Sequence, residues 1–321
     1  MRDAPTKFAI YPVPPIALLS ASLRTQPVSK EPDMYSNNCK TNDVAVRRRL
    51  TICFCLLFLV LASGRFQPAV ARNSSPPINA GEWGNTIALT VLGGSLYTIE
   101  KSGALYRTDL ETGKWIQLGK PEFARTAFLF SHGQSLFTIE TDGNLYRVSP
   151  ADGSWNRVGE PGAWRGTLAM VVLDDHLYSI EISGVLYRTD LNSFRWTRLG
   201  KAEFGNTRLM FAHSPNLFTI EPDGNLYRVN PVDGSWSRIG SAGAWVNTIV
   251  GTTLNGKFYS VERDGTLYET NLTIGGWKQI GKPEFRNSRF MFSSGASLYT
   301  IEGSGLYRIN PSNGTWVEVG K

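Results

Sequence analysis

Six glutamates recur through the chain at near-equal intervals: Glu100, Glu140, Glu181, Glu221, Glu262 and Glu302, spaced 40, 41, 40, 41 and 40 residues apart. A ring of carboxylates at such spacing could hold cations. Five arginines (Arg107, Arg147, Arg188, Arg228 and Arg308) follow at matching intervals and suggest a different use. A two-residue Ser102-Gly103 hairpin turn would set Thr98 opposite Arg107, with Glu100 diagonal to Arg107 on the same face. Diagonal neighbours reach each other through long side chains, so the spacing predicts an ion pair within each blade. Glu269 stands where the fifth arginine is due. Glu262 and Glu269 would then share a face without a cation, which makes the pair a candidate calcium site built from oxygen ligands.

Two aromatic series repeat at 81 residues: Trp83, Trp164 and Trp245, each in Gly-x-Trp, and Phe123, Phe204 and Phe285, each in Lys-x-Glu-Phe. Aromatic faces stack on sugar rings at low entropic cost, and Asn85, Asn206, Asn247 and Asn287 nearby offer paired donors and acceptors for hydroxyls. These ten residues form the candidate ligand set, with packing of one repeat against the next as the competing use of the rings. A third series, Trp115, Trp155, Trp196, Trp236, Trp277 and Trp316, reads as packing on an outer strand. Catalysis is poorly supplied. His132, His176 and His213 fall in turns without a metal pair or a triad partner, and a ring of equivalent sites suits binding.

The elements that carry these residues are short strands. In the second repeat, 126–131, 135–140, 144–149 and 154–158 are each rich in aromatic or β-branched residues and bounded by turn residues. Asp142-Gly143, Asp223-Gly224 and Asp264-Gly265 mark the second turn. Four strands per repeat, six times, predicts an all-β, six-bladed propeller of antiparallel blades over 83–321. The 81-residue period adds pseudo-threefold symmetry with two alternating blade types. With the first strand innermost, the acids, the Asp-Gly turns and the aromatic linkers gather on one face of the disc.

The third turn and fourth strand, as in Asp109-Leu110-Glu111-Thr112-Gly113-Lys114-Trp115, resemble the corresponding segment of kelch repeats, although Ile-Glu or Val-Glu stands where kelch blades carry Gly-Gly. The linker Val158-Gly159-Glu160-Pro161-Gly162-Ala163-Trp164 and the Leu-Tyr pairs resemble the repeats of tachylectin-type lectins, which have five longer blades. These resemblances imply a propeller that binds: carbohydrate through its linkers, or a protein partner through the same face. A hydrolase or lyase with one central site is the third reading.

Residues 1–71 are of another kind. Arg47-Arg48-Arg49, the apolar run from Leu50 to Leu61 and Ala69-Val70-Ala71 predict a secretory signal cleaved after Ala71, followed by a short lead-in over 72–82. The run falls short of the ~20 residues that span a bilayer. Nine of the 33 basic and four of the 27 acidic residues lie in 1–71, which leaves 24 and 23 in the mature chain. That balance gives no case for nucleic acid. Cys39, Cys53 and Cys55 also precede the cleavage site, so the exported chain is expected to have no disulfide and no thiol chemistry. No cofactor is implied beyond the candidate calcium, and a monomer is expected.

Overall fold

A computed structural model describes residues 82–320; the predicted signal, its predicted cleavage site and the three cysteines lie outside them. A short 3-10 helix, Glu82–Asn85, leads into blade 1, formed by β1 (Thr86–Leu92), β2 (Ser95–Glu100), β3 (Leu105–Asp109) and β4 (Trp115–Leu118). Five further antiparallel sheets follow over 126–158, 167–199, 209–239, 248–280 and 288–318, each built from four consecutive strands. First strands of neighbouring blades touch around the ring, including those of blades 6 and 1. The protein is a six-bladed β-propeller. No helix among the described residues is long and apolar enough to cross a membrane.

Why the blades stack is visible in the second strand. Leu96, Tyr97, Thr98, Ile99 and Glu100 are all buried, so this strand is covered on both faces rather than alternating in and out. Each face meets the next blade. One apolar cluster fills each of the six interfaces; Ile99 and Leu105 of blade 1 pack with Leu129 and Leu136 of blade 2, for example. Apolar burial is thereby spread evenly round the ring.

Ring closure uses polar contacts as well. The Arg289 guanidinium of blade 6 donates to the carbonyls of Trp83, Gly84 and Thr86 at 3.3, 2.7 and 2.5 Å. Arg308 pairs with Glu111 of blade 1 at 3.0 Å. Val319 packs with Trp83 and Leu110. Every sheet remains made of its own segment, so the ends meet without exchanging a strand.

The predicted intrablade ion pairs do not form this way, and the reason is a single residue of register. Glu100 N–H donates to the Ala104 carbonyl and Gly103 N–H to that of Glu100, giving a three-residue turn over 101–103 rather than a two-residue one. Arg107 therefore lies opposite Tyr97, and Thr98 opposite Tyr106. A one-residue slip moves a whole strand's side chains to the other face. Glu100 and Arg107 end on opposite faces, and the same holds in the later blades. The even-blade arginines instead reach the following blade: Arg147 lies over Phe194 at 6.0 Å, and Arg228 donates to the Leu272 carbonyl at 2.7 Å.

Register also removes the candidate calcium pair. Glu269 sits opposite Tyr259, on the face away from Glu262. It accepts from the Tyr259 hydroxyl at 3.0 Å and lies 3.5 Å from Lys278 and 4.0 Å from Lys257. Desolvation, together with the adjoining carboxylate, pushes the Tyr259 phenol up to about 12. No group of three or more potential metal ligands occurs among the described residues.

A repeated blade pocket as the candidate functional site

The linker aromatics are structural plugs. Trp83, Trp164 and Trp245 are 8%, 1% and 2% exposed, and Phe123, Phe204 and Phe285 are 4%, 4% and 2% exposed. None offers a ring face to a sugar, which corrects the stacking role expected of them. Each occupies a different interface cluster, so the six rings wedge the six blade junctions. The chain docks them through a repeated bond: the Phe123, Trp164, Phe204, Trp245 and Phe285 N–H groups donate to the carbonyls of Gly103, Gly143, Gly184, Gly224 and Gly265. In blades 2 and 4 an asparagine completes the dock. The Asn144 and Asn225 side chains accept from Gly162 and Gly243 N–H at 2.9 and 3.0 Å.

The exposed aromatics are the outer-strand tryptophans that the sequence reading assigned to packing. Trp155, Trp236, Trp277 and Trp316 are 46%, 47%, 50% and 44% exposed, and Trp115 and Trp196 are half-buried. Each lies against the third-strand tyrosine of its own blade: Tyr146–Trp155 at 5.0 Å, Tyr227–Trp236 at 4.9 Å and Tyr268–Trp277 at 4.5 Å, all edge to face. Register puts this pair on the face that carries the second-strand glutamate.

Glutamate, tyrosine and tryptophan thus wall one pocket, and it recurs. Blade 5 has a cavity of about 400 Å³ between Glu262, Tyr268 and Trp277, closed by Asn247 and Asp264. Blade 4 repeats it at about 450 Å³ with Glu221, Tyr227, Trp236 and Asn206. Blade 3 has Glu181, Tyr187 and Trp196 around about 610 Å³, and blade 2 a smaller space of about 200 Å³ at Glu140, Tyr146 and Trp155. Turn and linker residues line these pockets, so the chemistry gathers on the face opposite the first-to-second turns. Asn85, Asn206, Asn247 and Asn287 are all exposed, and two of them line pockets. The histidines lie in or beside the other turns, where His132 Nε2 is 3.7 Å from Asp175.

The glutamates are fixed by the first strand. Glu100, Glu140, Glu181, Glu221, Glu262 and Glu302 accept from the hydroxyls of Thr86, Thr126, Thr167, Thr207, Thr248 and Ser288 at 2.7 to 3.1 Å. Burial pushes the carboxyls of Glu140, Glu181, Glu221, Glu262 and Glu302 above the ordinary 4.5, against the lowering pull of those hydroxyls. The turn aspartates Asp109, Asp152, Asp190, Asp233 and Asp264 shift below 3.8, led by backbone N–H donors.

These shifts oppose each other in pH dependence. A glutamate with a raised folded value holds its proton where the unfolded chain has released it, so stability falls as pH rises through that value. An aspartate with a depressed folded value contributes stability that is lost as acid protonates it. Melting temperature should therefore rise as pH drops from neutrality towards 4.5 and fall once pH goes below 3.8. A melting curve declining steadily from pH 7 downward would contradict the glutamate half of this expectation.

No family model matches the chain, and no curated protein matches it. Solved structures with a similar fold include PorZ, an essential bacterial surface component of the type-IX secretion system of Porphyromonas gingivalis. It is 13% identical with a TM-score of 0.51, and the match covers 74% of this chain and 33% of PorZ. The chain therefore spans about a third of that protein's length. A structural-genomics protein of unknown function from Bacteroides thetaiotaomicron is 13% identical with a TM-score of 0.54, covering 72% of this chain and 70% of that one. BamB from Moraxella catarrhalis gives 16% identity and a TM-score of 0.43, covering 68% and 67%. At these identities the likeness is one of fold alone. Fold and site together define a class, a six-bladed propeller with a repeated aromatic and carboxylate pocket.

Proposed function

We propose that the protein is an exported, non-enzymatic, multivalent carbohydrate-binding propeller. The observation that carries this is the recurrence of one pocket, glutamate with a partly or half-exposed outer tryptophan on a tyrosine, in blades 2, 3, 4 and 5. A half-exposed indole presents apolar area to a sugar ring, the carboxylate accepts from its hydroxyls, and the tyrosine supplies a further donor. Repetition suits binding of many equivalent units, in which weak single contacts sum through avidity. Each stacking contact is worth roughly 1 kcal/mol beyond burial, so a free monosaccharide should bind weakly. A glycan array probed with the purified protein tests this directly. Sugar-specific signal that is lost in the Trp196→Ala/Trp277→Ala variant is the expected result. An array without sugar-specific binding would sink the carbohydrate reading and leave the kelch-like protein-interaction disc as its replacement.

A further inference from the structure

The pockets of blades 2 to 5 are of two chemical kinds, and the residue before each linker aromatic decides which. In even blades that residue is Glu122, Glu203 or Glu284, and its Oε2 accepts from the outer tryptophan Nε1–H: Trp155 at 3.0 Å, Trp236 at 3.0 Å and Trp316 at 3.2 Å. The indole is pinned and its one polar hydrogen is already used. In blades 3 and 5 the residue is alanine, Ala163 and Ala244, and both line their pockets. Neither Trp196 nor Trp277 has an indole N–H hydrogen bond among the described residues, and both rings line their cavities.

A second, independent alternation runs beneath the tryptophan. Directly across the strand pair from Trp115, Trp196 and Trp277 stand Thr108, Thr189 and Thr270. Even blades carry Val148, Val229 and Ile309 there. All three threonine hydroxyls are buried without a hydrogen-bond partner, and Thr270 lines the blade 5 cavity. The linker indole N–H groups of Trp83 and Trp164 are buried and unpartnered as well, where even blades have phenylalanine. A buried polar group without a partner destabilises a fold, and opposite the outer tryptophan it is retained in odd blades while even blades are apolar; on the second strand, Thr138 and Thr219 of even blades are buried and unpartnered too. Around the outer tryptophan, blades 3 and 5 keep an unspent indole N–H and a third-strand hydroxyl; even blades have used the first and carry an aliphatic side chain in place of the second.

We propose that ligand binding is confined to the odd-type pockets, chiefly those of blades 3 and 5, with the residue before the linker aromatic acting as the gate. This rests on the carbohydrate reading and narrows it. The indole N–H of Trp196 or Trp277 requires an acceptor on the ligand, and the carboxylate of Glu181 or Glu262 requires a donor. Glu262 and Asp264 outnumber the one cation, Arg263, in the blade 5 cavity, and Glu160 and Glu181 line the blade 3 cavity with no cation, so both disfavour an acidic sugar. The ligand class is therefore an uncharged pyranose with hydroxyls spanning donor and acceptor positions.

Exchanging the gate tests this. Calorimetry on the full chain with neutral methyl pyranosides (glucoside, galactoside and mannoside) and with methyl glucuronide should show binding of a neutral sugar only. The Ala163→Glu/Ala244→Glu variant should weaken it by about tenfold, the loss of one hydrogen-bond donor. Glu122→Ala/Glu203→Ala/Glu284→Ala should add sites, whereas the Gln triple variant keeps an accepting oxygen on the indole and should not. Thermal melts of each variant confirm that the ring is intact. Parent binding that neither exchange alters overturns the gate and leaves the carbohydrate reading standing. No binding of any sugar by the parent, on the array or in the calorimeter, overturns both. Preferential binding of the glucuronide overturns the assigned ligand class.

Discussion

Trp164→Ala is expected to lower stability by about 3–5 kcal/mol, and Trp277→Ala by no more than about 1 kcal/mol. Both are tryptophans at blade edges, and the sequence suggests the reverse assignment, with Trp164 a ligand candidate and Trp277 packed. Trp164 is 1% exposed, packs among Phe137, Leu145 and Leu177, and meets the Trp196 ring at 4.9 Å. Its removal leaves a void between two blades that rigid sheets cannot collapse to fill. Trp277 is 50% exposed and rests on one tyrosine, so its loss removes little burial. Denaturant unfolding of the two variants measures the contrast. The same pair separates structure from recognition, because sugar binding in blade 5 should vanish in Trp277→Ala while its fold persists. Equal losses of stability would show that the outer tryptophans are plugs too.

The second large effect concerns two glycines with almost the same backbone angle. Gly224 has φ of +77° and Gly94 has φ of +78°, a region that side chains enter only with strain. Around Gly94 a Cβ would meet nothing within 4 Å, so Gly94→Ala carries that strain alone, about 1 kcal/mol. At Gly224 the Cβ would fall on the backbone of Val246, in the linker that brings in Trp245. That linker is held by the Trp245 N–H bond to the Gly224 carbonyl at 3.0 Å and has no freedom to withdraw. Gly224→Ala should therefore destabilise at least twice as much as Gly94→Ala. The difference between the two midpoints in urea isolates the blade-to-linker contact from backbone strain. If the two variants melt alike, the close approach carries no energy.

Much of the architecture is legible in the chain because strand periodicity and turn chemistry are local. The fourfold strand pattern of 126–158, the 40-residue interval and the 81-residue alternation are properties of the sequence itself, and the sheets follow them. The pocket was only half legible. Glu262 and Asn247 could be placed on one face from turn positions, and they do line one cavity. Which tryptophan faces outward is set by packing between blades, and Gly-x-Trp carries no mark of it. The Glu–Arg pairing failed through one extra turn residue, which decides the face of every side chain beyond it. A signal for the gate was present: glutamate precedes each linker phenylalanine, whereas alanine precedes two of the three linker tryptophans. Its meaning needed the indole contact to be seen.

Because each sheet is completed within its own stretch of chain, no blade depends on a strand lent from the far terminus. The covalent join between any two blades is then a tether rather than a structural seam. Cutting the polypeptide at another blade boundary and fusing the present ends would describe the same disc, a circular permutation at little topological expense. An odd–even blade pair is likewise the smallest unit that tiles the ring, so three separate copies could close as a homotrimer with threefold rotational symmetry. Within one polypeptide, each copy is free to differ from the others. Glu269, where blades 1, 2, 3, 4 and 6 have arginine, is a divergence that only a fused chain permits in a single blade.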